Sequence, residues 1–372
     1  MSDADDVKAI SKVILRGSDW AIGPEIEQFE EMLAKYVGSD YCLTFNSGTS
    51  ALHAALLVLN LKIGSEILVP SFTFIATVNS VLMVNAKPKF VDIEEKTYGL
   101  DPVMTKASVT NKTSAIMPIH YAGLPCQIEE IADISKRKKI YLIEDAAQAL
   151  GAKVKKRMVG TFGDLAIFSF AGNKVLTTGE GGCITTNSKQ LYEKLKLLRS
   201  HGRKDKQSYF SSITKPEYVT IGYNWRMSSI TAALGISQMK KIEKLIRLRR
   251  NHAKYLSSRL SKFEQIVTPK ESEGNHHVFQ LYSIKLNNSK IRDGLMKFLS
   301  QKGIMSKVFF HPVHLTKFYK NLEVLGKNNL SHTENVSNQI LTLPMYPSLK
   351  KEDLNYICGS ISEFMEKTQI DI

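Results

Sequence analysis

A chain of 372 residues, 43% of them hydrophobic, can build a large core and two domains, which excludes a disordered chain or a small disulfide-stapled scaffold. Its longest apolar run, ALHAALLVLNL at 51–61, is much shorter than a membrane-spanning helix and carries His53 and Asn60, so no span is expected. Fifty Lys and Arg against 36 Asp and Glu leave a formal charge of +14, which admits an anionic ligand; the basic residues are dispersed, however, and no nucleic-acid-reading motif accompanies them.

The opening MSDADDVKAI carries three aspartates ahead of any apolar run, the reverse of a secretory signal, and a cytoplasmic protein is expected. Helical spacing covers Asp6 to Leu15 and Pro24 to Tyr36, with the turn-rich GSDWAIGP between them and Gly38 beyond the second. From residue 41, strand-like runs alternate with amphipathic ones. YCLTF precedes a helix from Thr49, EILVP a helix near 75–84, KPKFVDI and SAIMPIHY follow, and IEEIADISKRKK leads into IYLIEDAA. This alternation predicts an α/β layer with a mainly parallel sheet. DLAIFSF and GGCITT predict two more strands, 188–199 a helix, and 203–220 a long surface loop or partner-facing arm. One long helix linking two domains is expected from Ser229 to about Leu260, with the basic cluster RLRRNHAK on its outer faces. The remainder holds strand-like HHVFQLYSIKL, a helix from Lys290 to Gly303 and a last helix from Lys351 to Lys367. Cys42, Cys126, Cys183 and Cys358 are far apart, form no CxxC and read as reduced thiols.

Three stretches carry candidate chemistry. NSGTSALHAALLVL (46–59) places small and hydroxyl residues at a helix start, where Gly48, Thr49 and Ser50 suit a phosphate; plain N-capping by Ser47 or Thr49 is the alternative. IYLIEDAAQALG (140–151) ends a buried strand in two acids, of which alternation lets only one face a ligand crevice; Asp145 and Gln148 fit one side of the turn. FSFAGNKVLTTGEGGC (168–183) sets Lys174 in a small-residue loop. A lysine near a phosphate-binding helix start and a strand-end aspartate points to pyridoxal phosphate, whose aldehyde condenses with an amine and whose ring nitrogen needs an acid; an exposed loop lysine is the alternative.

Together with SFTF (71–74) and YNWRMS (223–228), these stretches resemble the DegT/StrS type of nucleotide-sugar aminotransferase, a fold-type I pyridoxal phosphate family, over nearly the whole chain from GSDWAIGP to LPMYPSLKKEDL. The resemblance implies an α/β large domain at 1–245, with an N-terminal helical segment and a mainly parallel central sheet flanked by helices, and a smaller α+β domain at 246–372. It implies that Lys174 bonds the cofactor and shuttles the substrate proton. Asp145 would pair with the pyridine nitrogen, Gln148 would meet the ring hydroxyl where many relatives carry histidine, and Phe74 would stack on the ring. Gly48, Thr49, Ser50 and Ser169 would hold the phosphate, which Asn224 of the neighbouring subunit would also reach, so a homodimer is implied. His314 and Tyr319 would stand near the sugar pocket, with Trp20 closing it.

Lysine at 174, where dehydrating relatives carry histidine, favours transamination. The AGNK loop is similar to the FGNK of GDP-perosamine synthases, whereas enzymes aminating the sugar's 3-position resemble PGKNLGA. The implied reaction takes an amino group from glutamate to a nucleotide-linked 4-keto-6-deoxy sugar. A dehydratase or 3-aminotransferase of the same fold, or a basic regulatory protein without turnover, stays open. His311 and His314 have the spacing of a metal pair, but Pro312 between them opposes a regular helix, and no metal is expected.

Overall fold

The computed structural model describes residues 2–204, 215–322 and 329–370; most of the expected arm, 205–214, lies outside the described residues. Helix α1 (Ala4–Leu15) starts earlier than its apolar spacing indicates, because the Asp3 side chain accepts from the Asp5 amide while Asp6 reaches back to the Asp3 amide. Helix α2 (Pro24–Val37) has proline in its first turn and stops at Gly38, whose φ of 82° suits glycine. Then β1 (Tyr41–Phe45), α3 (Gly48–Leu57), β2 (Glu66–Pro70), α4 (Ile75–Met83), β3 (Lys87–Val91), α5 (Pro102–Ser108), β4 (Thr113–Ile116), α6 (Ile128–Lys138) and β5 (Tyr141–Asp145) follow. A short hairpin, β6 (Lys153–Val154) and β7 (Arg157–Met158), precedes β8 (Leu165–Ser169), β9 (Gly182–Thr186) and α7 (Lys189–Arg199).

The main sheet has seven strands in the order β1-β9-β8-β5-β4-β2-β3. Its strands run parallel apart from β9, which lies antiparallel between β8 and β1. Period-two alternation buries both faces: Phe45, Val69, Ile143 and Ile167 pack with α3 and α4, while Cys42, Phe168 and Cys183 pack with α2 and the helix that follows residue 228.

That helix, α8 (Ser229–Met239), is separate from α9 (Ile242–Leu260), so the single long helix expected from the sequence is two. No Gly or Pro marks the break. Its cause is tertiary: Lys241 Nζ stands 2.8 Å from both Asp3 Oδ1 and Asp6 Oδ1, and Gln238 Nε2 donates to Asp6 Oδ2 at 2.8 Å, fastening the start of α1 to this turn. Helix α9 then crosses between two cores. Ile242 and Ile246 belong to the core under the main sheet, Ala253, Leu256 and Leu260 to that of a smaller unit. Between them the buried Arg249 guanidinium donates to the carbonyls of Phe279 (3.3 Å), Gln280 (3.1 Å) and Met345 (2.9 Å), and burial lowers its pKa to about 10.

The smaller unit holds β10 (Ile266–Val267), β11 (Asn275–His276), β12 (Tyr282–Leu286), α10 (Ser289–Gln301), α11 (Lys317–Lys320), α12 (Ser331–Gln339), β13 (Ile340–Leu343) and α13 (Lys351–Ile370). HHVFQLYSIKL is not one strand. β11 pairs with β6, β12 lies between β10 and β13, and two of the three carbonyls bound by Arg249 fall in the gap, where Phe279 has a φ of 48°. Val313, Tyr319 and Leu330 return to the large core, Tyr319 beside α4 and β3. Among the described residues, no helix is long and apolar enough to cross a membrane.

Candidate active site

The parallel strands β1, β2, β4, β5 and β8 present their C-terminal ends to one cavity of about 400 Å³, the position in which open α/β sheets hold ligands. Its wall includes Gly48, Thr49, Phe74, Asp145, Gln148, Ser169 and Lys174. Residues more than a hundred positions apart in sequence meet there because each follows the end of a neighbouring strand.

The start of α3 forms one side. Ser47 caps it, accepting from the Ser50 amide at 3.1 Å, while the Ser50 hydroxyl is used internally, donating to Asn46 Oδ1 at 2.6 Å. Ser50 is therefore buried and does not line the cavity, whereas Gly48 and Thr49 do. The first-turn amides and the positive end of the helix face the Ser169 side. Three backbones converge here only because two glycines lack side chains. A Cβ on Gly182 would lie 2.7 Å from the Gly48 nitrogen, and one on Gly48 would lie 2.9 Å from Ser169 Cβ.

At the end of β5 the two acids fall on opposite sides of the strand. Glu144 turns away, fully buried: it accepts from the amides of Gly160 (2.9 Å), Phe162 (2.7 Å) and Gly163 (2.8 Å) and meets His120 Nε2 at 3.1 Å. The Cys126 amide points at His120 Nδ1 (3.2 Å), which makes that nitrogen an acceptor, so Nε2 carries the proton shared with Glu144. Asp145 turns into the cavity. Burial raises its carboxyl above the ordinary value, opposed by the Thr77 hydroxyl (2.8 Å to Oδ2), the Ala147 amide (3.1 Å to Oδ1) and the charge of Lys174.

Lys174 lies in the loop between β8 and β9, its amide bonded to the Ala171 carbonyl at 3.0 Å. Burial lowers its pKa against the pull of Asp145 and Glu180, which raises the share of neutral, nucleophilic amine. The Gln148 carbonyl accepts from the Ala122 amide at 2.7 Å, leaving the amino group of that side chain to donate. Phe74 stands 58% exposed at the cavity edge, its ring 6.2 Å from Phe310.

Other expected positions lie elsewhere in this chain. Tyr319 is fully buried in the large core, its hydroxyl donating to Asn79 Oδ1 at 2.6 Å, and does not line this cavity. Tyr319→Phe is expected to cost about 1 kcal/mol, read as a lower unfolding midpoint, with the sugar KM unmoved. His314 bonds Ser71 Oγ through Nδ1 (2.7 Å) and meets Glu334 through Nε2 (3.2 Å), off the cavity wall. Trp20 is 48% exposed, its carbonyl accepting from the Ser229 amide at 2.8 Å. Asn224 does not line the cavity; its carbonyl is 3.5 Å from Asn46 Nδ2. Thr73, Thr77, His120 and Glu180, which the sequence reading did not single out, line the cavity. Among the described residues, no three or more His, Cys, Asp or Glu side chains group as a metal site would require.

An amine, an acid and an anion-holding helix start, gathered at the end of a parallel sheet, define an enzyme of the pyridoxal phosphate class. The DegT/DnrJ/EryC1/StrS aminotransferase family matches residues 2–362, and the chain belongs to that family. It is 36% identical over 342 residues to a GDP-perosamine synthase of Escherichia coli O157:H7, covering 92% of this chain and 90% of the relative. It is 35% identical over 348 residues to a GDP-perosamine synthase of Caulobacter vibrioides, covering 93% and 91%. Helicobacter pylori PseC, an aminotransferase involved in the biosynthesis of pseudoaminic acid, superposes with a TM-score of 0.93 at 27% identity, covering 99% of this chain and 98% of PseC. The chain is thus a pyridoxal-phosphate-dependent sugar aminotransferase. The cavity fits that cofactor in its donor set, which brings together an amine (Lys174), a carboxylate (Asp145) and a helix start with a hydroxyl beside it (Gly48, Thr49 and Ser169).

Proposed function

We propose that this enzyme moves an amino group from glutamate to a nucleotide-linked 4-keto-6-deoxy sugar, giving a 4-amino sugar for surface glycan or related biosynthesis in the cytoplasm. The observation that carries the reading is the meeting of Lys174, Asp145 and the start of α3 in one cavity. Relatives named GDP-perosamine synthase and the AGNK form of the lysine loop support the nucleotide sugar and the 4-position.

When bound, pyridoxal phosphate supplies an aldehyde that takes up the amine and a ring that stores the electrons of a broken C–H bond. Around it, the amides of Gly48 and Thr49 and the Ser169 hydroxyl would bind the phosphate, and Phe74 and Gln148 would orient the ring. Asp145, charged, would hold a proton at the ring nitrogen. Lys174 Nζ, kept partly neutral by burial, would take the proton from the substrate carbon and return it at its neighbour. In this reading the active unit is a homodimer. Asn224, off the cavity of its own chain, would complete the neighbouring site, while His314 and Tyr319 would stand near the sugar pocket and Trp20 would close it. The division at 1–245 and 246–372 belongs to the same reading, the larger part holding the cofactor and the smaller covering the sugar. The dispersed basic residues near the cleft would meet the diphosphate.

The test is mass spectrometry after incubation with glutamate and a panel of UDP-, GDP- and dTDP-linked keto sugars. The expected result is one amino sugar nucleotide with stoichiometric 2-oxoglutarate. A changed sugar without 2-oxoglutarate would replace transamination by elimination.

A further inference from the structure

Among the described residues, Thr77 provides the only side-chain hydrogen bond to the Asp145 carboxylate. Its hydroxyl lies 2.8 Å from Asp145 Oδ2 and 2.7 Å from the hydroxyl of Thr73. An ionised carboxylate only accepts, so Thr77 donates its single hydrogen to Asp145 and takes the other contact as acceptor from Thr73. The contacts therefore run in one direction, Thr73 to Thr77 to Asp145. Reversed, they would require a protonated Asp145 and, among the described residues, would leave the hydrogen of Thr73, which is 3% exposed, without an acceptor.

We propose that Thr77, oriented by Thr73, is a positioning residue that keeps Asp145 ionised and fixed in one orientation toward the cofactor ring, an inference that rests on Asp145 being the ring's acidic partner. Burial acts on Asp145 in the opposite sense, raising its carboxyl, so the hydroxyl pair counters a definite tendency toward neutrality. The other groups facing Asp145 come from separate elements: Lys174 from the loop after β8, His120 from the turn after β4 with Glu144 behind it, and the Ala147 amide from the turn after β5. Thr73 and Thr77 come from the approach to α4 and its first turn, and Thr77 lies one helical turn beyond Thr73.

The experiment titrates the cofactor-free protein with pyridoxal phosphate across a pH series, following absorbance. Thr77→Val keeps the branched shape and removes the hydroxyl. It is expected to bind about tenfold more weakly near neutral pH, the scale of one hydrogen bond to a charged group. Without the donor, Asp145 takes up a proton at higher pH, so the fall in binding on the acid side moves upward by about one pH unit. Thr77→Ser is expected to restore both affinity and profile, which a purely packing role would not predict. Thr73→Val should move both in the same direction by less, and it carries the test if Thr77→Val does not fold. Wild-type affinity and acid profile in the valine variants, or no rescue by serine, would overturn the proposal. Asp145→Asn separates the two layers. If it weakens binding while Thr77→Val does not, only the role of Thr77 falls; if it binds as the wild type does, the pairing of Asp145 with the ring falls, and the role of Thr77 with it.

Discussion

Lys174→Ala is expected to lower kcat by about a thousandfold or more, the scale of losing a positioned acid–base group, and to remove the visible absorbance of the lysine-linked cofactor. The expectation follows from placement. Lys174 is the lysine in the cavity wall, its backbone is fixed by the Ala171 carbonyl, and burial depresses its pKa. Folding should survive the change, because removing a buried ammonium also removes the cost of desolvating it. Single-turnover amino transfer and absorbance, measured on protein with a wild-type melting profile, check the prediction. Retention of both would show that another amine does the chemistry.

Gly182→Ala is expected to destabilise the protein by about 1–3 kcal/mol, the usual cost of overpacking, and to weaken cofactor binding as well. The added carbon would stand 2.7 Å from the Gly48 nitrogen, 2.8 Å from Gly48 Cα and 2.8 Å from the Ser47 carbonyl carbon. These are backbone atoms, with no flexible end to yield, so β9 or the start of α3 must move. The moved segment is the one that, in the proposed function, would present amides to the phosphate. Gly359→Ala is the control, since an added carbon there meets nothing within 4 Å. The unfolding midpoint and the half-saturating concentration of pyridoxal phosphate should both change at 182 and neither should worsen at 359. Loss of stability without loss of affinity would separate the glycine contact from the anion site.

The parts of the fold that local pattern specifies were legible in the sequence. YCLTF, EILVP and YLIED are short apolar runs bounded by turn residues and become β1, β2 and β5; the proline of Pro24 and the glycine at 38 bound α2. The features that escaped depend on partners distant in sequence. Nothing local marks the break between α8 and α9, which answers to the acids at the start of α1, and nothing in HHVFQLYSIKL shows that Arg249 will claim the carbonyls of 279 and 280. The short strand ILTL, β13, sits directly after α12 and reads as part of neither pattern. Within the cavity, motif residues stood out because their types are chemically unusual at strand ends. Thr77 did not, since a threonine in a helix's first turn is ordinary until the fold sets it against Asp145. The place of Tyr319 near the sugar pocket came from the family resemblance alone; its burial in the large core is a matter of packing that no local pattern shows.

The course of α9 limits how the molecule can open. A protein that admits substrate by swinging two lobes apart needs a flexible joint, and here the joint is a continuous helix whose two halves are each embedded in a different lobe. Any swing must bend that helix or tear the Arg249 guanidinium from its three carbonyls. Entry over the rim of the cavity, where Phe74 is 58% exposed, requires neither change.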